Sequence, residues 1–274
     1  MPLSNLQLRI LKLLAATRNP ESYIAGSSWL TLSGPRFSND IDIFHDREET
    51  VGLFADQDAE ILNNAGFVVD WRRRSATFYQ ALISKDDETT KLEWVVDSDF
   101  RFFPIQTDND FGYILHPVDL AMNKIMAAAG RREPRDIVDL IDLNDRILPL
   151  GAIAWAAVEK SPGFTPEGLL NEVSRNARYT DADFRRVRAE TEIEASEILS
   201  RLRLLISEAQ DFVHKMPTEK VGLLFLRDGQ PVQPDPEHLE NYTAHSGQRR
   251  GHWPTTSEIT HEMLKAYLDN SKEQ

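Results

Sequence analysis

The first hundred residues alternate between two hydrophobic spacings, which is typical of a fold that mixes helices and strands. Leucine and isoleucine recur every three or four residues behind Ser4, and a similar spacing returns over Glu48–Asn64, so both stretches are predicted helices. Shorter apolar or alternating runs are the predicted strands Tyr23–Ala25, Asp40–Phe44, Phe67–Trp71, Thr77–Ile83 and Lys91–Val96. We therefore expect an α/β fold whose core is a mixed β-sheet with flanking helices.

From His116 onwards the apolar spacing is helical almost throughout. The predicted helices, placed by their start and stop signals, are Pro117–Gly130, one carrying Asp136 and Asp139, Leu150–Val158, Thr165 to about Arg178, and a long one from Thr180 to about Lys215. Apolar residues at steps of three and four along the last helix indicate a packing seam within a helical bundle. We divide the chain into a core (1–115), a helical domain (116–216) and a C-terminal extension (217–274).

The C-terminal extension has a mixed pattern. A strand is predicted over Lys220–Leu226 before the Asp228-Gly229 turn, and an amphipathic helix is predicted from Ile259, Met263 and Tyr267. His245 and His252 lack the spacing of a zinc site, so we expect them in surface loops.

Composition excludes several classes of protein. The net charge of -13 over 274 residues disfavours nonspecific coating of nucleic acid, because the bulk field repels phosphate. The absence of cysteine rules out disulfides and thiolate chemistry and fits a cytoplasmic location. Arg9 and Lys12 interrupt the leucine-rich start, which favours an amphipathic helix over a signal peptide, and no apolar run is long enough to span a bilayer.

The strongest chemical signal lies in Tyr23–Phe44. Asp40 and Asp42 alternate with isoleucines, so on a strand both carboxylates project from one face while the isoleucines point into the core. Two such carboxylates repel unless a hard divalent cation lies between them. The turn at Gly26-Ser27 precedes them and exposes backbone N–H groups of the kind that bind phosphate.

Three further groups are candidates for binding anions or bases. Lys124 lies on a helix face of small and apolar residues, an unusual place for an amine that does not reach an anion, and Asp136 and Asp139 share one face of the next helix. Arg72–Arg74 are read either as a contact to RNA or nucleotide phosphate or as an exposed turn, which we favour. A second arginine cluster lies between Arg175 and Arg188. It is either an RNA-docking surface or an ordinary solvated face, and we favour the solvated face.

The order of these motifs resembles a known family. Gly-Ser followed by Asp-x-Asp between apolar residues is similar to the nucleotidyltransferase superfamily of DNA polymerase β. His116-Pro-x-Asp-Leu-Ala, Lys124, a Gly-Arg turn and Arg135-Asp-x-x-Asp-Leu, together with Arg36-x-Ser-x-Asp-x-Asp, resemble the AbiEii toxin family of nucleotidyltransferases. That family supplies the toxic half of bacterial toxin–antitoxin and phage-abortive systems. The resemblance covers about residues 20–145.

The resemblance implies a set of site residues. Asp40 and Asp42 would hold Mg²⁺, with Mn²⁺ as an alternative, and the superfamily's third carboxylate would be Glu93, or else Asp97 on the same face. Gly26, Ser27 and Ser38 would lie against the triphosphate, and Lys124 would neutralise the phosphates. Asp139 would orient Lys124 or the base and ribose, with Asp136 beside it. Residues 1–115 would then be the nucleotidyltransferase core, and the helical domain would add the lysine and the late acids.

The implied reaction moves a nucleoside monophosphate from a nucleoside triphosphate to a hydroxyl and releases pyrophosphate. The family suggests RNA, and in particular a tRNA 3′ end, as acceptor, and a cognate antitoxin as partner. Three alternatives stay open: a small-molecule (antibiotic-type) nucleotidyltransferase, an enzyme that modifies a protein, and a non-catalytic nucleotide-binding protein. The first two share the metal site with the RNA-directed enzyme.

Overall fold

The computed structural model describes residues 3–26, 28, 34–161, 163–189 and 191–249. The sequence also predicts a helix over Ser27–Leu32, directly after the turn at Gly26, and apart from Ser28 this stretch lies outside these ranges. The same holds for the predicted terminal helix that carries Ile259, Met263 and Tyr267. Within the described ranges, no helix is long and apolar enough to cross a membrane.

A seven-stranded mixed sheet forms the centre of the first half of the chain. Its strands are β1 Ser22–Ala25, β2 Asp40–His45, β3 Val68–Arg74, β4 Phe78–Lys85, β5 Glu88–Val96, β6 Gln106–Asp108 and β7 Gly112–Ile114, in the order β3-β4-β5-β2-β1-β7-β6. The β2–β5 and β1–β7 pairs are parallel, and the other pairs are antiparallel. The expected α/β core with a mixed sheet is therefore confirmed.

Two helices cover one face of this sheet. Helix α1 spans Asn5–Leu14 and helix α2 spans Glu48–Asn64. Their apolar sides pack on the inward residues of the strands, which include Ile41, Ile43, Ala81, Ile83, Leu92 and Trp94. Because strand side chains alternate between faces, this burial leaves Asp40 and Asp42 on the opposite face.

The helical half of the chain packs beside the other face. Its helices are α3 Pro117–Gly130, α4 Pro134–Arg146, α5 Leu150–Ala157, α6 Pro166–Asn176, α7 Asp181–Phe184 and α8 Ala195–Lys215. His116 caps α3, since its side chain accepts the N–H of Val118, and Thr165 caps α6 in the same way. The core of this half continues into the sheet through Tyr23 and Ala25, so the helices hold β1 in place.

The prediction of one long helix from Thr180 to Lys215 is wrong. The chain leaves the helix after Phe184 and re-enters it at Ala195. In between, the carbonyl of Arg188 accepts the N–H of Phe37 at 2.7 Å. An antiparallel bridge also joins Ala189 to Arg36. In a continuous helix these backbone groups would instead form hydrogen bonds within the helix. The strand-like pairings hold the loop before β2 in place.

The prediction that Arg72–Arg74 form a turn is also wrong. They belong to β3, which stays paired with β4 through a bulge between Trp71 and Arg73. β3 is the edge strand of the sheet, so these arginines are exposed without being in a loop.

The described part of the C-terminal extension forms a small sheet. Its strands are β8 Leu224–Arg227, β9 Gln230–Val232 and β10 Thr243–His245, in the order β10-β8-β9. The predicted strand starts late, because Thr218–Lys220 forms a 3₁₀ turn. His245 is not in a surface loop: it lies in β10, its Nε2 is 2.6 Å from the carbonyl oxygen of Phe102, and its ring stacks on Phe103. These contacts dock the extension on the core.

Candidate active site

Three carboxylates from neighbouring strands meet on the open face of the sheet. Asp40 and Asp42 lie on β2, and Glu93 lies on β5 directly opposite Asp42 in the parallel register. One oxygen of each lies within 4.8 Å of the others, a spacing that suits a shared cation. The alternative acid, Asp97, follows the end of β5 and accepts hydrogen bonds from Lys160 and Asn123 instead.

The pKa values of Asp40 and Asp42 are shifted in opposite directions. Burial, reinforced by the charges of Asp40 and Glu93, raises the pKa of Asp42 to about 7. Burial acts on Asp40 in the same sense, yet the pKa of Asp40 lies below its usual value because Arg135 donates to its carboxylate at 3.0 Å. Two adjacent acids with opposed shifts are typical of a functional site.

The donor set fits a hard divalent cation. All three ligands are carboxylates, which suit Mg²⁺ and Mn²⁺, and the described residues bring no histidine into the cluster. Burial and the two neighbouring carboxylates raise the pKa of Asp42, and a divalent ion bound between the carboxylates would act in the opposite direction.

Gly26 makes room for the Asp42 carboxylate. Its backbone has a φ of +67°, a conformation that favours glycine. A Cβ placed on Gly26 would lie 1.9 Å from Oδ2 of Asp42, a distance that no real pair of atoms tolerates. The turn at the end of β1 therefore lies against the acids, as the sequence motif requires. Ser27, the other predicted residue of this turn, lies outside the described residues.

Replacing Gly26 by alanine is expected to weaken Mn²⁺ binding by about 10–100-fold, the cost typical of disturbing the support of a metal ligand. The added methyl group displaces the Asp42 carboxylate and strains the backbone. Titration of Mn²⁺ followed by electron paramagnetic resonance measures the change. Gly130→Ala is the matched control, because a Cβ there meets nothing within 4 Å. Equal Mn²⁺ affinity in both variants would remove Asp42 from the metal site.

A buried charge cluster joins the helical half of the chain to the loop before β2. Asp139 on α4 accepts two 2.6 Å hydrogen bonds from Arg36 and lies 2.8 Å from Nζ of Lys124 on α3. Asp136 lies 3.6 Å from the same ammonium and accepts two hydrogen bonds from Arg131. Burial alone would raise the pKa of Asp139, but Lys124 and Arg36 hold it below its usual value. The structure thus brings Lys124 together with Asp136 and Asp139, while the predicted roles of the three residues stay predictions.

Ser38 lies next to the carboxylate cluster, but its hydroxyl points to the backbone of Asp40. Its hydroxyl donates to the carbonyl of Asp40 at 2.7 Å, and the hydroxyl of Ser28 donates to the same carbonyl at 3.2 Å. Both serines are buried. In this arrangement they hold the start of β2, while the predicted contact of Ser38 with a triphosphate stays a prediction.

Three residues at the acids were not singled out from the sequence. Arg135 and Lys91 are basic neighbours of Asp40, with Lys91 Nζ 3.7 Å from Oδ2 of that residue, and Gln80 donates to Glu93 at 2.6 Å. Lys91 is two residues before Glu93 on the same strand, so the alternation that put Asp97 on the face of Glu93 also puts Lys91 there. Nothing local in the sequence indicates the partner of Arg135.

A cleft of about 720 Å³ opens beside Asp40, between the sheet and the helices. Basic residues outnumber acidic ones in its lining, which also carries the ring of Tyr179. The basic residues are Lys91, Arg132, Arg135 and Arg186, and the acidic ones are Glu133 and Asp183. The guanidinium of Arg132 lies 5.9 Å from the centre of that ring. A cleft of this volume and charge suits a phosphorylated ligand.

No protein-family model and no curated protein sequence matches this chain. Solved structures do share its fold. The nucleotidyltransferase toxin MenT4 of Mycobacterium tuberculosis is 17% identical over 75% of this chain and 82% of its own, with a TM-score of 0.54. The JHP933 protein of Helicobacter pylori is 17% identical over 78% of this chain and 95% of its own, with a TM-score of 0.51. The chain therefore has a nucleotidyltransferase fold.

Proposed function

We propose that this chain is a metal-dependent nucleotidyltransferase that moves a nucleoside monophosphate from a nucleoside triphosphate to a hydroxyl of RNA. The observation that carries the proposal is the cluster of Asp40, Asp42 and Glu93 on neighbouring strands, with its ligand atoms within 4.8 Å and Gly26 packed against it. On this fold, such a cluster is the part that the reaction cannot do without.

Asp40, Asp42 and Glu93 would hold Mg²⁺, or Mn²⁺ in its place. When bound, the ion supplies charge neutralisation on the triphosphate and lowers the pKa of the attacking hydroxyl. The turn at Gly26 and Ser27 would donate backbone N–H groups to phosphate oxygens.

Lys124, oriented by Asp139, would neutralise the phosphates, with Ser38 and Asp136 completing the nucleotide site. The acceptor oxygen bonds to the α-phosphorus as the bond to the β-phosphate breaks. Pyrophosphate then leaves, and the hydroxyl proton passes to solvent. Arg135 would leave Asp40 for the phosphates when nucleotide and ion arrive, since the carboxylate is then needed as a ligand.

The RNA acceptor and the toxin role rest on two supports. The cleft beside Asp40 has four basic and two acidic residues in its lining within a chain of net charge -13, so the local excess of positive charge favours phosphate groups next to the acids. The structural neighbour MenT4 is described as a nucleotidyltransferase toxin. Together with the AbiEii-like motifs, these support a toxin of a toxin–antitoxin or phage-abortive system that acts on RNA such as tRNA and has an antitoxin as partner.

A labelling experiment tests the reaction. The purified chain is incubated with each of the four α-phosphate-labelled nucleoside triphosphates, Mg²⁺ and a mixture of total RNA, proteins and small metabolites. Label is expected in RNA with wild type, and neither EDTA-treated protein nor Asp40→Ala should transfer it. Label in a polypeptide or a small molecule would instead support one of the alternative acceptors. Nucleotide binding without release of pyrophosphate would reject the enzyme.

Growth of a sensitive host tests the toxin role separately. Expression of wild type is expected to stop growth, and expression of Asp40→Ala to the same level is expected to leave growth unchanged, because this variant lacks a ligand of the metal site. Equal growth of both strains would count against a toxin.

A further inference from the structure

A row of side chains crosses the sheet from the acids to its edge. Asp42 is paired with Glu93, Glu93 with Gln80, and Gln80 with Arg73. Paired residues of neighbouring strands point to the same face, so the row starts at the metal site and ends at the exposed edge strand β3. A 2.6 Å hydrogen bond from Gln80 to Glu93 joins the second pair of this row directly.

Apolar side chains flank this row without joining a core. Phe78 and Leu82 on β4 and Val95 on β5 are half-buried, and they share the face of Gln80 and Glu93 by strand alternation. Among the described residues, none of the three belongs to or packs against a hydrophobic core cluster. Helices α1 and α2 cover the other face, whereas on this face Phe78, Leu82 and Val95 keep part of their surface exposed to solvent.

One cation and one ring stand together on this open face. The guanidinium of Arg73 lies 5.2 Å from the centre of the Phe78 ring. Arg73 is exposed and makes no ion pair with an acid within the described ranges, in contrast to its neighbours Arg72 and Arg74, which pair with Asp70 and Asp56. An aromatic ring beside an arginine suits a base that stacks and a phosphate that pairs.

The proposed reaction decides from which side the acceptor comes. In phosphoryl transfer the attacking and leaving oxygens lie roughly in line with the phosphorus. The turn at Gly26, which would bind the triphosphate, ends β1 on one side of β2, and Glu93 lies on β5 on the other side. If the leaving pyrophosphate lies towards β1, the acceptor hydroxyl arrives from β5 and β4, where the open face begins.

We propose that the β4 platform, made of Arg73, Phe78, Gln80, Leu82 and Val95, binds the single-stranded 3′ end of the acceptor RNA. This inference rests on the proposed function and adds the docking surface to it. Phe78 stacks on a base near the 3′ end, and Arg73 pairs with a phosphate of the backbone. Gln80 contacts the ribose next to Glu93. Single strands fit this surface because a duplex hides the faces of its bases.

The neighbouring arginine provides a matched control. Arg74 follows Arg73 on β3 and points to the opposite face, where its guanidinium lies over Trp71 and pairs with Asp56 of α2. Arg73→Gln and Arg74→Gln therefore make the same chemical change one residue apart, on the two faces of one strand. Phe78→Leu removes the aromatic ring and keeps an apolar side chain.

The test measures RNA binding and nucleotide transfer with the full chain. RNA binding is measured by fluorescence anisotropy with a short single-stranded RNA that carries fluorescein at its 5′ end. Arg73→Gln and Phe78→Leu are each expected to raise the Kd about 10-fold. Arg74→Gln is expected to raise it by less than about 2-fold. The slope of log Kd against log salt concentration should fall by about one released counterion in Arg73→Gln. The slope should stay at the wild-type value in the other two variants. In transfer assays the KM for RNA should rise in parallel, while the KM for the triphosphate stays at the wild-type value.

The outcomes separate the platform from the reaction. Equal RNA affinity and equal salt dependence in all variants would overturn the platform even if wild type transfers nucleotide to RNA. Absence of any transfer by wild type would reject the proposed reaction, and the binding data would still decide the platform. Label that enters a polypeptide, with unchanged RNA binding in the variants, would assign this face to a protein substrate. If Phe78→Leu unfolds on a thermal scan, the exposed Arg73→Gln decides alone.

Discussion

Replacing Asp42 by asparagine is expected to reduce nucleotide transfer at least about 1,000-fold, since it removes a charged group from the centre of the proposed metal site. The amide keeps the shape of the side chain and therefore the fold, so the loss reports chemistry. Transfer of labelled nucleotide at saturating triphosphate measures the effect. A variant that keeps more than a tenth of wild-type activity would contradict the assignment of Asp42.

The same substitution is expected to stabilise the metal-free protein above neutral pH. The pKa of Asp42 is about 7 in the folded chain against 3.8 for an ordinary aspartate, so the folded state holds the proton more tightly between these values. The stability that this proton confers is present at low pH and is lost as the pH rises through 7. Asp42→Asn removes this loss of folding free energy, which amounts to roughly 4 kcal/mol for a pKa difference of about three units.

Urea denaturation at about pH 8 and pH 4 measures this difference in the free energy of unfolding. The free energy of unfolding of Asp42→Asn should exceed that of wild type at the higher pH and equal it at the lower pH. Added Mg²⁺ should stabilise wild type and not the variant, because binding to the folded state alone raises stability. The control is Asp110→Asn. Asp110 is an exposed acid in the turn between β6 and β7, so its replacement should change the free energy of unfolding little at either pH. A variant less stable than wild type at the higher pH would show that the acids do not repel.

Replacing Asp139 by asparagine is expected to destabilise the chain by about 3–5 kcal/mol, because two buried cations lose their shared counter-charge. The side chains of Arg36 and Lys124 are almost fully buried, and water does not screen them. Activity should fall as well, since Lys124 no longer has the carboxylate that orients it. Urea denaturation and transfer assays below the unfolding transition measure the two effects.

Asp142→Asn is the matched control on the same helix. Asp142 lies about one turn further along α4 and pairs with Arg146, and both side chains are partly exposed. Pairs of this type contribute less than about 1 kcal/mol, so its loss should be small. Equal destabilisation by Asp139→Asn and Asp142→Asn would show that the buried cluster does not stabilise the contact between the helices and the loop before β2.

The sequence correctly predicted which face of a helix or strand a side chain occupies, because strand alternation and helical spacing are local signals. Ile41 and Ile43 point into the core and Asp40 and Asp42 away from it, as the period of two requires. Helix α2 has the predicted bounds Glu48–Asn64, because its apolar spacing and the glycine after it are local signals.

The tertiary structure decided the contacts between elements distant in the chain. Arg135 reaches Asp40 across 95 residues, and Arg36 reaches Asp139 across 103 residues. Residues 185–189 left their predicted helix because the backbone of Phe37 offers a hydrogen bond from elsewhere in the fold. Local propensity is worth a fraction of a kcal/mol per residue, so such pairing overrides it. The order of the strands, which puts Glu93 beside Asp42 and leaves Phe78 uncovered, is likewise a property of packing that no single segment encodes.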